Sequence, residues 1–144
     1  EEYLHSEKYE IKVRDWNADG SIKDFITRVN LARRENPALQ LFANLTFLEI
    51  DHDQLIAYVK STPDKSNSVI VVVNLDPLAA HEAILRVPLE AIGVDPGGSY
   101  DVCDLLSGQR YRWSERNYVR LDPVAADPVH IFRVERASSG EAAR

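Results

Sequence analysis

One helical stripe followed by nothing but strand-like segments limits this chain more than any other feature. Ile22, Phe25, Ile26, Val29 and Ala32 fall at the spacing that lines one face of a helix. Ser21 and Asp24 stand where a variant capping box would open it, so the pattern predicts an amphipathic helix over 21–35. Asn36-Pro37 closes it, because proline has no N–H to continue the ladder and the residue before proline avoids the helical region. From Leu45 onward, runs rich in β-branched and aromatic residues alternate with turn formers. They predict strands at 45–50, 54–60, 68–75, 81–87, 99–104, 109–113, 117–121 and 129–135.

The separators support antiparallel pairing. Asp51-His52-Asp53 reads as a tight hairpin, 62–67 as a longer one, and Ser107-Gly108 as another short turn. Val69-Ile70-Val71-Val72-Val73 is apolar on both pleat faces, which predicts a central strand covered on both sides; Tyr111, Trp113, Tyr118 and Leu121 read as half-buried. Short strands at close intervals indicate a β-sandwich. A sandwich already has its core between its own sheets, so the greasy face of the helix is expected to find its burial partner in a structure that begins upstream. Residues 1–19 read as a loop ending in the turn formers Asn17-Ala18-Asp19-Gly20, and 137–144 as a disordered tail.

Composition narrows the function classes. At 144 residues, with 44% hydrophobic and 28% charged residues of mixed sign, the chain is long enough for a real core and is expected to fold. A net charge of −6 offers no footprint for nucleic acid. No apolar run reaches the roughly 20 residues that span a bilayer, and no charged-then-apolar signal opens the chain, so a cytoplasmic protein without membrane association is expected. The single cysteine, Cys103, cannot form an internal disulfide or a cysteine cage for a metal, which fits a reducing compartment and a core-filling role. The absence of methionine and the opening Glu1 suggest a chain processed or excised from something longer.

No constellation in the sequence carries chemistry by itself. Asp51 and Asp53 flank His52, but turn preferences favour a polar hairpin tip over acid-base or metal work. The acidic opening of Glu1, Glu2, Glu7 and Glu10 has no partner and reads as solvated. His5, His52, His81 and His130 are scattered, none beside a nucleophile turn, and Gly97-Gly98 precedes a strand rather than a phosphate-binding helix. No catalytic residue, metal ligand or cofactor is assigned. The rings of Trp16, Tyr111 and Trp113 could stack on sugars, although core or edge packing explains alternating aromatics more simply.

Three stretches then carry a resemblance. The segment from Glu2 to Glu10 (EYLHSEKYE), Arg14-Asp15-Trp16, and above all the segment from Leu31 to Gln40 (LARRENPALQ) resemble the end of an α-amylase superfamily catalytic barrel. Within that superfamily they are most similar to the maltosyltransferases that extend α-1,4-glucans from maltose-1-phosphate. The segments 71–77 (VVVNLDP), 100–108 (YDVCDLLSG) and 117–123 (NYVRLDP) are similar to successive strands of the family's C-terminal sandwich.

The resemblance implies a mainly β fold. One amphipathic helix left over from a (β/α)8 barrel would precede a C-terminal antiparallel β-sandwich of Greek-key type, with 1–42 ending the barrel and 43–136 forming the sandwich. Family members use a retaining mechanism whose carboxylates would all lie before Glu1, so the chain alone is expected to be a structural accessory without activity. Lys8 and Tyr9 would be substrate-binding, contacting the bound maltosyl unit, or else a solvated lysine and a rim tyrosine. The implied partners are the catalytic barrel of the parent chain and its α-glucan or maltosyl substrate. Once separated from that barrel, the helix face predicts self-association. The alternative is a carbohydrate-binding module that stacks glucan on Tyr111 and Trp113.

Overall fold

The structure, a computed structural model, describes residues 11, 13–123 and 126–135. Among them the chain forms one α-helix, α1 (Lys23–Glu35), and nine strands. These are β1 (Leu45–Phe47), β2 (Glu49–Ile50), β3 (Leu55–Ser61), β4 (Ser68–Asn74), β5 (His81–Arg86), β6 (Tyr100–Asp104), β7 (Arg110–Trp113), β8 (Arg116–Leu121) and β9 (Val129–Glu135). Short 3-10 turns occupy Pro37–Leu39 and Leu89–Ile92.

The strands make two antiparallel sheets, one of six in the order β1-β3-β4-β9-β6-β7 and one of three in the order β2-β5-β8. The last strand, β9, inserts between β4 and β6, so neighbours in space are distant in sequence, which is the crossover connectivity of a Greek-key sandwich. The hairpins expected at 62–67 and at Ser107-Gly108 are present. At the β3–β4 turn the Thr62 and Asn67 backbones close the loop at 2.9 Å. There the Asp64 carboxyl is held down to about 2 by the Thr62 hydroxyl and by the Ser66 N–H and hydroxyl. At the β6–β7 turn Gly108 takes a left-handed φ of 77°, which a residue with a Cβ adopts only at a cost.

The stretch 45–50 is not one strand, and 51–53 is not a hairpin tip. β1 pairs with β3, but at Leu48 the chain leaves that sheet and β2 pairs with β5 in the other. The Leu48 side chain is buried between the layers, and its N–H still reaches the Ala57 carbonyl at 2.9 Å. Asp51-His52-Asp53 therefore joins the two sheets rather than two paired strands. Burying an apolar residue between the layers stabilises by roughly 1.5–3 kcal/mol, which rewards this change of sheet.

Alternation along each strand sends one set of side chains between the sheets. Ile70, Val72, Val102, Leu85, Leu121, Tyr100 and Trp113 meet there in the main core. The opposite face of β4 is also covered. Val69 and Val71, with Ile131 of β9, pack against Ala32 of α1 and Ala38 of the following turn. The molecule is thus three layers deep at its centre, which is why residues 69–72 are buried whichever way they point. Alanine at 32 and 38 lets the helix end lie close to the sheet.

Polar groups at this junction are paired, as burial requires. Asn36, fully buried, donates to the Ala32 carbonyl at 2.8 Å and accepts from Asn67 Nδ2 at 3.1 Å. Asn67 Oδ1 in turn accepts the Ala38 N–H at 3.0 Å. The end of the helix is pinned to the β3–β4 hairpin by side chains rather than by a sheet ladder. At the start of α1 the capping box does not form: Ile22 is the N-cap and no side chain caps the helix. The Ser21 hydroxyl donates instead to the Trp16 carbonyl at 3.0 Å.

Candidate functional site

Two surfaces stand out, and the first is the unburied half of α1. The stripe that forms a single face in sequence divides in space. Val29 and Ala32 pack on the six-stranded sheet, whereas Ile22 and Ile26 are 65% and 47% exposed and Phe25 is 36% exposed. The sandwich supplies a partner for the C-terminal turns of the helix and not for its first ones, because the contact is made near the Asn36–Asn67 junction. On the same face of the six-stranded sheet, Phe47 of edge strand β1 is 67% exposed and touches Tyr58 edge-on, at 6.5 Å between ring centres. Phe42 is fully exposed. Exposed apolar groups of this size on one side of a domain mark a surface that something covers.

The second surface is a trough where the sandwich gapes between edge strands β7 and β8. Its wide part, about 610 Å³, and an adjoining cavity of about 170 Å³ share Tyr111, Trp113 and Tyr118 as lining. The floor is aromatic. Phe132 lies under Trp113 at 4.6 Å and meets Tyr111 edge-on at 6.0 Å, and Trp113 meets Tyr100 edge-on at 6.4 Å. Trp113 itself is buried, in line with core packing of the alternating aromatics rather than an open platform; its indole completes the core beside Phe132. The exposed rings are Tyr111 and Tyr118. The Tyr118 hydroxyl donates to Glu82 Oε2 at 2.7 Å, and that hydrogen bond to a carboxylate raises the phenol's pKa above its ordinary value. The Tyr111 hydroxyl is held by Gln109. Leu121, like Trp113, is fully in the core rather than half-buried.

A partly buried ion pair borders the narrower cavity. His130 Nδ1 lies 3.0 Å from Asp104 Oδ2, and His130 Nε2 lies 3.0 Å from the Arg120 carbonyl. Burial alone would depress the imidazole pKa, but the Asp104 carboxylate and the Arg120 carbonyl override it and the net shift is upward. Burial likewise pushes Asp104 up, and His130, the Leu106 N–H and the Ser107 hydroxyl outweigh it, leaving the carboxyl below its usual range. A second histidine pair is more superficial. His81 bonds Asp76 at 2.9 Å and sets its ring against that of His52 in a tilted contact at 4.4 Å, while His52 Nδ1 accepts the Gln54 N–H.

Lys8 and Tyr9 lie outside the described residues, as do His5 and the acidic opening. Cys103 is a buried free thiol on β6. Among the described residues no three of His, Cys, Asp and Glu come together in a way that could hold a metal, and no helix is long and apolar enough to cross a membrane. Sequence reasoning missed Tyr118 as a surface ring and the pairing of Asp104 with His130. The first was legible in principle, since strict alternation with the buried Val119 puts Tyr118 outward. The second was not, because no local pattern joins residues so far apart.

Comparison with known proteins places these features in a family. The family model described as GLGE, C-terminal, matches residues 47–134, which is most of the sandwich. The chain is 48% identical over 136 residues to the alpha-1,4-glucan:maltose-1-phosphate maltosyltransferase of Corynebacterium glutamicum, covering 92% of this chain and 20% of that protein. It is 47% identical over 135 residues to the protein of the same name from Rhodospirillum rubrum, covering 93% of this chain and again 20% of the relative. The chain thus spans about a fifth of the length of the curated relatives it matches. Among solved structures, a maltogenic α-amylase from Thermotoga neapolitana superposes with a TM-score of 0.63 at 12% identity, over 89% of this chain and 29% of that one, which shows a shared fold. With the family model matching the sandwich strands and the relatives extending the match through the helix, the chain belongs to the GLGE C-terminal domain family.

Proposed function

We propose that this chain is the accessory C-terminal part of a maltosyltransferase that transfers maltosyl units from maltose-1-phosphate to α-1,4-glucan, and that it works by bracing a catalytic barrel. The observation that carries the reading is the divided burial of α1. Its last turns are anchored to the sandwich through Ala32 and Asn36, and its first turns present Ile22, Phe25 and Ile26 outward. A helix fixed at one end and bare at the other is suited to join two bodies rigidly. The names of the relatives and the fraction of their length that the chain covers support the same reading. In it, residues 1–42 end the barrel, 43–136 form the sandwich, the catalytic carboxylates lie elsewhere in the parent, and Lys8 and Tyr9 contact the maltosyl unit. The free buried thiol of Cys103 suits a cytoplasmic setting.

The test uses the parent-length protein. Replacing Ile22 and Ile26 with serine should lower its melting temperature and its maltosyl-transfer rate, while the 144-residue chain carrying the same changes melts as before. Unchanged activity and melting of the substituted parent would remove the bracing role. Lys8→Ala should raise the KM for the maltosyl donor; a KM equal to that of the unsubstituted protein would remove the contact.

A further inference from the structure

We propose that the trough between β7 and β8 is a binding site for a neutral α-1,4-glucan chain, separate from any catalytic centre; the choice of glucan rests on the functional reading above. The argument starts from the shape. β7 and β8 are edge strands of different sheets, and where they diverge they leave an open trough rather than an enclosed cavity, so an extended chain can lie along it. Small-molecule pockets are concave and enclosed, whereas a polymer needs an open groove.

Next comes the chemistry of the lining. Pyranose rings present apolar C–H faces and a rim of hydroxyls. They are recognised by aromatic rings together with planar hydrogen-bonding groups. Tyr111 and Tyr118 are exposed rings on the two sides of the opening, over the Phe132 and Trp113 floor. Both hydroxyls are already tied, to Gln109 and Glu82, so the rings are oriented before a ligand arrives and less rotamer freedom is lost on binding.

Charge then decides between a sugar and an anion. Arginines crowd this rim, yet most are answered by acids of the same chain. Arg112 Nη1 bonds Asp101 at 3.1 Å, Arg110 pairs with Glu135, and Arg120 lies 3.4 Å from Asp122. Arg112 also donates to Ser99 at 2.7 Å. An anion site would leave such guanidinium groups unpaired; here only Arg116 lacks an ion-pair partner among the described residues. Side chains neutralised in this way remain donors and acceptors for hydroxyls without favouring a negative ligand.

None of the residues lining the trough belongs to α1, although Arg28 of the helix reaches the Leu106 carbonyl in the β6–β7 turn at 3.0 Å. A site in the trough would hold a long glucan near the protein while its end is being extended.

The experiment is a titration of the 144-residue chain, free of any catalytic centre, with maltoheptaose, followed by amide and indole shifts. Shifts should concentrate at Tyr111, Trp113 and Tyr118. The double variant Tyr111→Ala, Tyr118→Ala should bind at least tenfold more weakly, while Tyr111→Phe with Tyr118→Phe, which keeps the rings, retains most of the affinity. An unchanged melting temperature of the alanine variant shows that it has folded. Absence of shifts at millimolar sugar, shifts confined to another surface, or equal response to inorganic phosphate would each overturn the assignment. Maltosyl transfer by the parent-length protein is measured in parallel. If transfer is seen and the titration is silent, the trough assignment alone fails; if no transfer is seen, the functional reading fails whatever the trough does.

Discussion

The His130 ring donates from Nδ1 to Asp104 Oδ2 at 3.0 Å, and its other nitrogen donates to the Arg120 carbonyl at the same distance. Both neighbours are acceptors, so the ring satisfies both of them only when both its nitrogens carry protons. Asp104 and His130 belong to β6 and β9 of the six-stranded sheet, whereas Arg120 is on β8 of the other. The ring is therefore a cross-sheet tie made by a side chain rather than by a ladder.

The tie predicts a pH-dependent stability. His130 has a folded pKa raised above 6.5, so its contribution is complete below that value and is lost as pH rises through the folded pKa. Asp104 is lowered below 3.8, so its contribution is present above that value and is lost as pH falls through its folded pKa. The penalty of His130→Ala, measured as a loss of unfolding free energy, should be greatest near about pH 5 and smaller by about 1 kcal/mol near pH 9, allowing for partial exposure of the ring. Equal penalties at both pH values would show that the ring contributes packing only.

Trp113 should behave as a core residue. Trp113→Ala is expected to cost about 3–5 kcal/mol in urea unfolding, because it removes the ring between Tyr100 and Phe132 and leaves a cavity. A cost under about 1 kcal/mol, the range of surface substitutions, would contradict its burial. For the same reason this variant is a poor probe of sugar binding.

Asn67 should control how firmly α1 sits on the sandwich. Asn67→Ala removes the acceptor of the Ala38 N–H and the donor to Asn36, leaving buried groups unpaired at about 1–3 kcal/mol. Hydrogen exchange should quicken at the amides of 32–40 while those of β4 stay protected. Unchanged exchange in α1 would mean that the helix is held by apolar contact alone.

The bare half of α1 should make the 144-residue chain self-associate. Sedimentation should show a concentration-dependent increase in mass that Ile26→Asp reduces, with a change in stability of roughly 0.5 kcal/mol or less as expected of an exposed position. A monomer at all concentrations would mean that this face is too small to drive association.

Much of the architecture was legible because it depends on neighbours in sequence. The all-apolar run at 69–73 is the doubly covered strand it reads as, and Asn36-Pro37 ends the helix with Asn36 in extended backbone, as the following proline requires. Tyr111 and Trp113, two residues apart, read alike as half-buried, and the sequence did not tell which of them faces water. Both point to the same side of β7, and only the position of Phe132 and the gape of the sheets expose one and bury the other.

Periodicity, turn formers and proline act within a few residues, so the sequence by itself determined where the strands and the helix lie and which face of each is apolar. Which sheet each strand joins was decided only by the tertiary structure. The change of sheet at Leu48, the capture of half of α1 by Val69 and Val71, the trough between β7 and β8, and the reach of His130 to the Arg120 carbonyl all arise there. Each depends on how distant segments meet around a shared core, and the free energy of that meeting belongs to the pair and is written in neither segment alone.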